Sequence, residues 1–177
     1  MVEFWFIRHG QSEINYVKNN KKLKGGVNTW AELTPLGKKQ AQSLELNSEE
    51  FEAIYSSPAI RCQQTFRYCF NNPRLKLIID ERLSEMYQGD WEGRYCYEFK
   101  DQKNNNKDWD FVPGDIIKGE SLNQVSDRMI KWLEEKKKQH TGKVLVITHS
   151  RSILCLLTKY YGKEFDFIEN CSIYKVI

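Results

Sequence analysis

Residues 3–15 read EFWFIRHGQSEIN, an aromatic and apolar run that ends abruptly in a guanidinium, an imidazole and a glycine. A strand with one face in water alternates apolar and polar residues, whereas a strand covered on both faces is apolar throughout. Residues 3–7 do not alternate. They are therefore expected to form a strand of a parallel sheet, with Arg8 and His9 set rigidly just past its carboxyl end.

Working outward, the chain repeats strand and helix signals. LTPLGKKQAQSLEL (33–46) opens a helix, with Thr34 as N-cap and Pro35 in the first turn, where a missing N–H costs nothing. FEAIYS (51–56) reads as a second strand, and SPAIRCQQTFRYCF (57–70) as a helix with Ser57 as N-cap and Pro58 at its first position. LKLIID (75–80) and KVLVITHS (143–150) are further strands. Between them, Ser121 and Gln124 stand at capping-box spacing, followed by apolar residues at 122, 125, 129, 132 and 133 and then Gly142 as a stop. SILCLLTKYYG gives a last helix ended by Gly162, and CSIYKVI a last strand. Alternating strands and helices predict an α/β three-layer sandwich with a mostly parallel central sheet and helices on both faces. Residues 95–119 mix aromatics with an Asn-rich patch and read as a loop or lid. The aromatics there and Trp91 are read as packing, because no basic stripe accompanies them.

Composition narrows the class. With 177 residues and 40% hydrophobic content, one domain spanning 1–177 is expected. Lys and Arg exceed Asp and Glu by 27 to 24 and are dispersed, so no nucleic-acid partner is indicated. The apolar runs are strand-sized, well short of the roughly 20 residues of a membrane span. Arg8 and His9 interrupt the first run before a signal-peptide core could form, which makes a cytoplasmic location the default. Cys62, Cys69, Cys96, Cys155 and Cys171 contain no C-x-x-C pair, and none of the three histidines lies at metal-binding spacing from another. The cysteines are read as reduced structural thiols, and no zinc site is indicated.

Ligands of open α/β sheets bind outside the carboxyl ends of the strands. Arg8 and His9 follow the first strand, Ser57 and Arg61 the second, Glu85 the third, and Thr148, His149 and Ser150 the fourth. Taken singly these are ordinary residues: a structural imidazole, a surface arginine, a solvated carboxylate. Arriving together, two arginines suit a phosphate dianion, and a helix N-terminus after residue 150 adds free N–H groups. A neutral imidazole beside that phosphate can attack phosphorus and form a phosphohistidine without a metal. Glu85 is then the natural general acid for the departing oxygen and the base toward water. Asn15 is a helix-face amide, or a phosphate donor if the first loop curls over the site.

At this point a resemblance adds to the reading. RHGQSEIN (8–15) resembles the R-H-G-[EQ]-[ST]-x-x-N motif of the histidine phosphatase superfamily, in the branch that includes cofactor-dependent phosphoglycerate mutase. LTPLGKKQA, SSPAIRCQQT, LSEMYQGDWEG, GES (119–121) and VLVITHS are similar to further blocks of that family, in its order. The resemblance implies His9 as the phosphorylated nucleophile, Glu85 as proton donor, and Arg8, Asn15, Arg61 and His149 as the phosphate-binding set. It implies no metal or organic cofactor and a small phosphorylated substrate. EMYQGDWEG looks more like the phosphatase members than like the E-R-x-Y-G stretch of the mutases, so metal-independent phosphomonoester hydrolysis is expected. The alternatives are a mutase-type phosphoryl transferase and a non-catalytic phosphate binder. Ser150 departs from the family's usual glycine, and residues 15–33 are Lys-rich and match poorly, so the sequence names no substrate.

Overall fold

Strand β1 (Glu3–Arg8) sends Phe4 and Phe6 to one face of the sheet and Trp5 and Ile7 to the other. Both faces are covered, which is why the run does not alternate. The computed structural model describes residues 2–14, 30–70, 76–95, 98 and 108–177. Within them, β2 (Ala53–Ser56), β3 (Leu77–Ile79), β4 (Lys143–Thr148) and β5 (Ile173–Val176) join β1 in a sheet ordered β3-β2-β4-β1-β5. The first four strands of that order are parallel, and β5 runs antiparallel to β1.

Helices α3 (Leu122–Gln139) and α4 (Ser150–Tyr161) cover the face carrying Phe4, Phe6, Tyr55, Val144 and Val146. Trp132 of α3 is the centre of that layer, edge-on to Phe4, Phe6 and Tyr55 at 6.0, 6.2 and 5.3 Å between ring centroids. On the opposite face, Cys62 and Phe66 of α2 (Ile60–Cys69) meet Ile7, Ile54, Leu145 and Ile147, and α1 (Pro35–Gln42) packs against α2. The α/β three-layer architecture expected from the sequence is the one observed. No helix among the described residues is long and apolar enough to cross a membrane.

The local signals hold where nothing competes for them. Thr34 accepts from Gly37 N–H at the start of α1, Ser121 and Gln124 form the reciprocal capping box of α3, and Gly162 closes α4 at φ 65°. Several boundaries differ from expectation, among them β4, which ends at Thr148, and β5, which runs only over Ile173–Val176. α2 begins at Ile60 with Ala59 as an uncapped N-cap, because the Ser57 hydroxyl is engaged elsewhere. β2 begins at Ala53, after a 3-10 turn over Ser48–Glu50. β3 is three residues long, matched to Ile54, Tyr55 and Ser56 of β2. Of the anticipated loop or lid, 108–119 is irregular chain; the Asp90 carboxylate accepts from Asp115 and Ile116 N–H and ties it to the 3-10 turn over Gly89–Trp91. The rest of that stretch falls mostly outside the described residues. Trp91 is buried against Phe111, as its packing role required.

Candidate active site

The register of β1 against β4 pairs Arg8 with Thr148, so the residues that follow, His9 and His149, emerge side by side. His9 N–H donates to Thr148 O at 3.0 Å, and the two imidazoles lie edge to face with centroids 5.1 Å apart. Both rings are buried. Burial first, and then the charges of Arg61 and Arg8, hold the pKa of His9 well below the ordinary histidine value. His149 is likewise held well below, by burial first and then chiefly by Arg61.

Arg61, in the first turn of α2, lies between the rings: its Nε–H donates to His9 Nε2 and its Nη2 to His149 Nδ1, each at 3.2 Å. A guanidinium has no acceptor, so both ring nitrogens facing it are unprotonated. The opposite nitrogens agree with that assignment. His9 Nδ1–H donates to Gly10 O at 2.7 Å, and His149 Nε2–H donates to Ser57 Oγ at 2.8 Å. His9 therefore presents an unprotonated Nε2 toward the cationic end of the site, the form an imidazole nucleophile needs.

Arg8 is also buried, donating through Nη1 to Ile168 O, with the Phe167 ring 5.6 Å from its guanidinium carbon. Its pKa is lowered by desolvation and raised in part by the Glu85 charge. Its buried Nε–H has no hydrogen-bond partner among the described residues, leaving a donor suited to an anionic oxygen. Glu85 is half-buried: Oε1 accepts from Met86 N–H at 2.9 Å, and Oε2 from Arg151 N–H at 3.4 Å in the first turn of α4. The structure thus brings Arg8, His9, Arg61 and His149 together with Glu85 beside them. Asn15 lies outside the described residues.

The loop that carries His9 is held by residues whose positions after strands would not reveal them. Gly10 N–H donates to Thr65 Oγ1 on α2, Gln11 N–H donates to Gln40 Oε1 on α1, and Thr34 N–H donates to Gln11 O. α1 approaches closely enough that a Cβ on Gly10 would stand 2.5 Å from Gly37 O, which only glycine permits. From the other side, Asn170 Nδ2 donates to His9 O at 2.8 Å and Cys171 N–H to Arg8 O at 2.9 Å, with Cys171 at φ 58°. These residues precede β5. An antiparallel strand brings its N-terminal end to the edge where parallel strands bring their carboxyl ends, and inspecting both ends of each strand would have found them. Cys62 packs under His149 with its thiol pushed up to about 12 by burial, and Cys155 of α4 is likewise pushed up to about 12. Both are structural by that measure.

A family model described as the histidine phosphatase superfamily (branch 1) matches residues 4–177. The chain belongs to that superfamily. Phosphoserine phosphatase 1 of Hydrogenobacter thermophilus is 32% identical over 166 residues, covering 89% of this chain and 76% of the relative. The adenosylcobalamin/alpha-ribazole phosphatase of Escherichia coli K12 is 28% identical over 169 residues, covering 91% and 80%. The native structure of a mycobacterial glucosyl-3-phosphoglycerate phosphatase superposes with a TM-score of 0.80 at 21% identity, over 98% of this chain and 88% of that one, a likeness of fold. Set against this histidine phosphatase fold, the sequence blocks that resembled the family have visible tasks. Thr34 and Gln40 buttress the loop after His9, Thr65 carries Gly10, and Leu83–Gly93 carries Glu85.

Proposed function

We propose that this histidine phosphatase hydrolyses small phosphomonoesters through a phosphohistidine on His9, with Glu85 as proton donor and Arg8, Arg61, His149 and Asn15 holding the phosphate. The observation that carries this reading is the protonation pattern of His9, whose Nδ1–H is spent on Gly10 O while Nε2 stays unprotonated against Arg61.

His9 Nε2 attacks phosphorus, and the ester P–O bond breaks. Glu85 gives its proton to the departing alkoxide. The resulting carboxylate takes a proton from water, whose oxygen attacks the phosphoryl group, and the P–N bond breaks to release inorganic phosphate and neutral His9. The arginines and the first turn of α4 oppose the charge of the phosphoryl oxygens through the sequence. The His149 Nδ1 that accepts from Arg61 sits at the same edge, where it takes the donor role toward phosphate once its ring is protonated or its tautomer changes.

The names of the two phosphatase relatives above support hydrolysis of small phosphate monoesters. Purified protein is expected to release phosphate from p-nitrophenyl phosphate in excess EDTA and to form an acid-labile phosphoprotein. His9→Ala is expected to lose both. Residual turnover in His9→Ala at the parent rate, or strict dependence on a divalent metal, would overturn the mechanism, and phosphoryl transfer between phosphoglycerates in place of release would assign the mutase reaction.

A further inference from the structure

Glu85 sits on a segment that follows β3 without regular structure beyond a 3-10 turn over Glu81–Leu83. Its backbone is nevertheless held at every step. Arg128 Nη1 donates to Arg82 O at 2.8 Å, Thr148 Oγ1 to Leu83 O at 2.6 Å, Ser152 Oγ to Ser84 O at 2.7 Å, and Arg128 Nη2 to Glu85 O at 3.3 Å. The carbonyls of residues 82 to 85 thus each accept from a side chain, the donors coming from α3, β4 and α4.

Arg128 supplies both ends of that row and is itself locked. Its Nε and Nη2 fork onto the Glu120 carboxylate at 2.8 and 3.0 Å. Glu120 closes the other side, its Oε2 accepting from Tyr87 N–H at 3.0 Å and its own N–H donating to Tyr87 O at 2.8 Å. Both side chains are mostly shielded, at 19% and 25% exposure, where a forked pair holds its geometry better than a solvated one. The guanidinium therefore bridges two carbonyls flanking the turn and one carboxylate anchored just beyond it. No lysine can reproduce that planar fork.

We propose that Arg128, locked by Glu120, is the positioning residue that sets the Glu85 carboxyl for proton transfer to the leaving group. The inference rests on the reading of Glu85 as the acid. General-acid transfer needs the donor within hydrogen-bond reach of the departing oxygen, and loosening it forfeits part of a contribution of roughly 10²–10⁴-fold. The effect depends on the leaving group: a stabilised p-nitrophenoxide departs without a proton, whereas unsubstituted phenoxide, more basic and a poorer leaving group, gains from one. Arg128 also contributes its charge at His149, so the test must separate charge from geometry.

The experiment measures kcat/KM for a series of aryl phosphates from p-nitrophenyl to phenyl, in the parent, Arg128→Lys, Arg128→Met, Glu120→Gln and Glu85→Gln, with thermal midpoints on the same samples. Arg128→Lys keeps the charge and loses the fork. It is expected to slow phenyl phosphate about 10–100-fold while p-nitrophenyl phosphate stays within about 3-fold, steepening the leaving-group dependence as Glu85→Gln does. Glu120→Gln, which leaves the arginine in place but weakens its lock, is expected to give a smaller steepening and stands in if an Arg128 variant fails to fold. An equal loss on every substrate, or no loss on phenyl phosphate, overturns the positioning role. If Glu85→Gln itself leaves the slope unchanged, the assignment of Glu85 as the acid fails and this inference with it; a steep Glu85→Gln slope beside a parental Arg128→Lys slope sinks the positioning role alone.

Discussion

The Ser57 hydroxyl shows how one side chain is claimed by the site against a local role. As an N-cap it would hold an N–H of α2; instead it accepts the Nε2–H of His149 at 2.8 Å and the N–H of Ala59 at 3.3 Å, and α2 starts without a side-chain cap. His149 is buried, so replacing Ser57 by Ala leaves an imidazole N–H without its acceptor at a cost of about 1–3 kcal/mol. Urea denaturation of Ser57→Ala is expected to show that loss, together with lower kcat/KM, since the same bond keeps Nδ1 directed at Arg61. A variant as stable as the parent would mean that another group, such as the Cys62 sulfur 3.6 Å away, accepts the hydrogen bond of that N–H.

Among the elements, α3 does most to fix the Glu85 side of the site. It carries Trp132 in the core and Arg128 at the Glu85 turn, and its start is set by Ser121 accepting from Gln124 N–H at 3.2 Å while Gln124 Oε1 accepts from Ser121 N–H at 2.8 Å. Ser121→Ala is expected to destabilise the protein by about 1 kcal/mol, read as a shift in the urea midpoint. Because residue 121 adjoins Glu120, a steeper leaving-group dependence in the same variant would trace the placement of Glu85 back to the helix cap. α1 plays the corresponding part for the loop after His9. Its Thr34 and Gln40 reach Gln11, and its Gly37 lets the backbone come against Gly10.

For the whole molecule, the buried imidazoles couple folding to pH. His9 and His149 have folded-state pKa values well below the ordinary 6.5, so between those values and 6.5 the unfolded chain binds protons that the folded chain does not. Their contribution is fully present above about 6.5 and is lost as pH falls below it, with a slope approaching about 1.4 kcal/mol per pH unit for each ring. Urea midpoints are expected to drop between pH 7.5 and pH 5, and a flat profile would contradict neutral buried histidines. The carboxylates act in a lower window. Glu52, bonded by His140 and by the N–H groups of Thr141 and Gly142, and Glu135, paired with Arg82, are both lowered from 4.5 to about 2, so what they stabilise is fully present above about 4.5 and is lost progressively as pH falls from there toward 2.

What was legible in the sequence is what short segments decide by themselves. Unbroken apolar runs marked β1 and β4, the Thr34–Pro35 and Ser121–Gln124 signals marked helix starts, and Gly162 marked an end, because pleat, cap and left-handed turn each involve residues a few positions apart. The same local reading placed Arg8, His9, Arg61, Glu85 and His149 at strand ends. The tertiary structure alone decided the strand order β3-β2-β4-β1-β5, which makes neighbours of two strands more than 130 residues apart and so sets His9 against His149. It also decided which proton each imidazole carries, why Ser57 does not cap α2, and why Arg128 bears on Glu85. Register and side-chain partnership between distant segments follow from how the layers pack, and a single sequence carries no local sign of them.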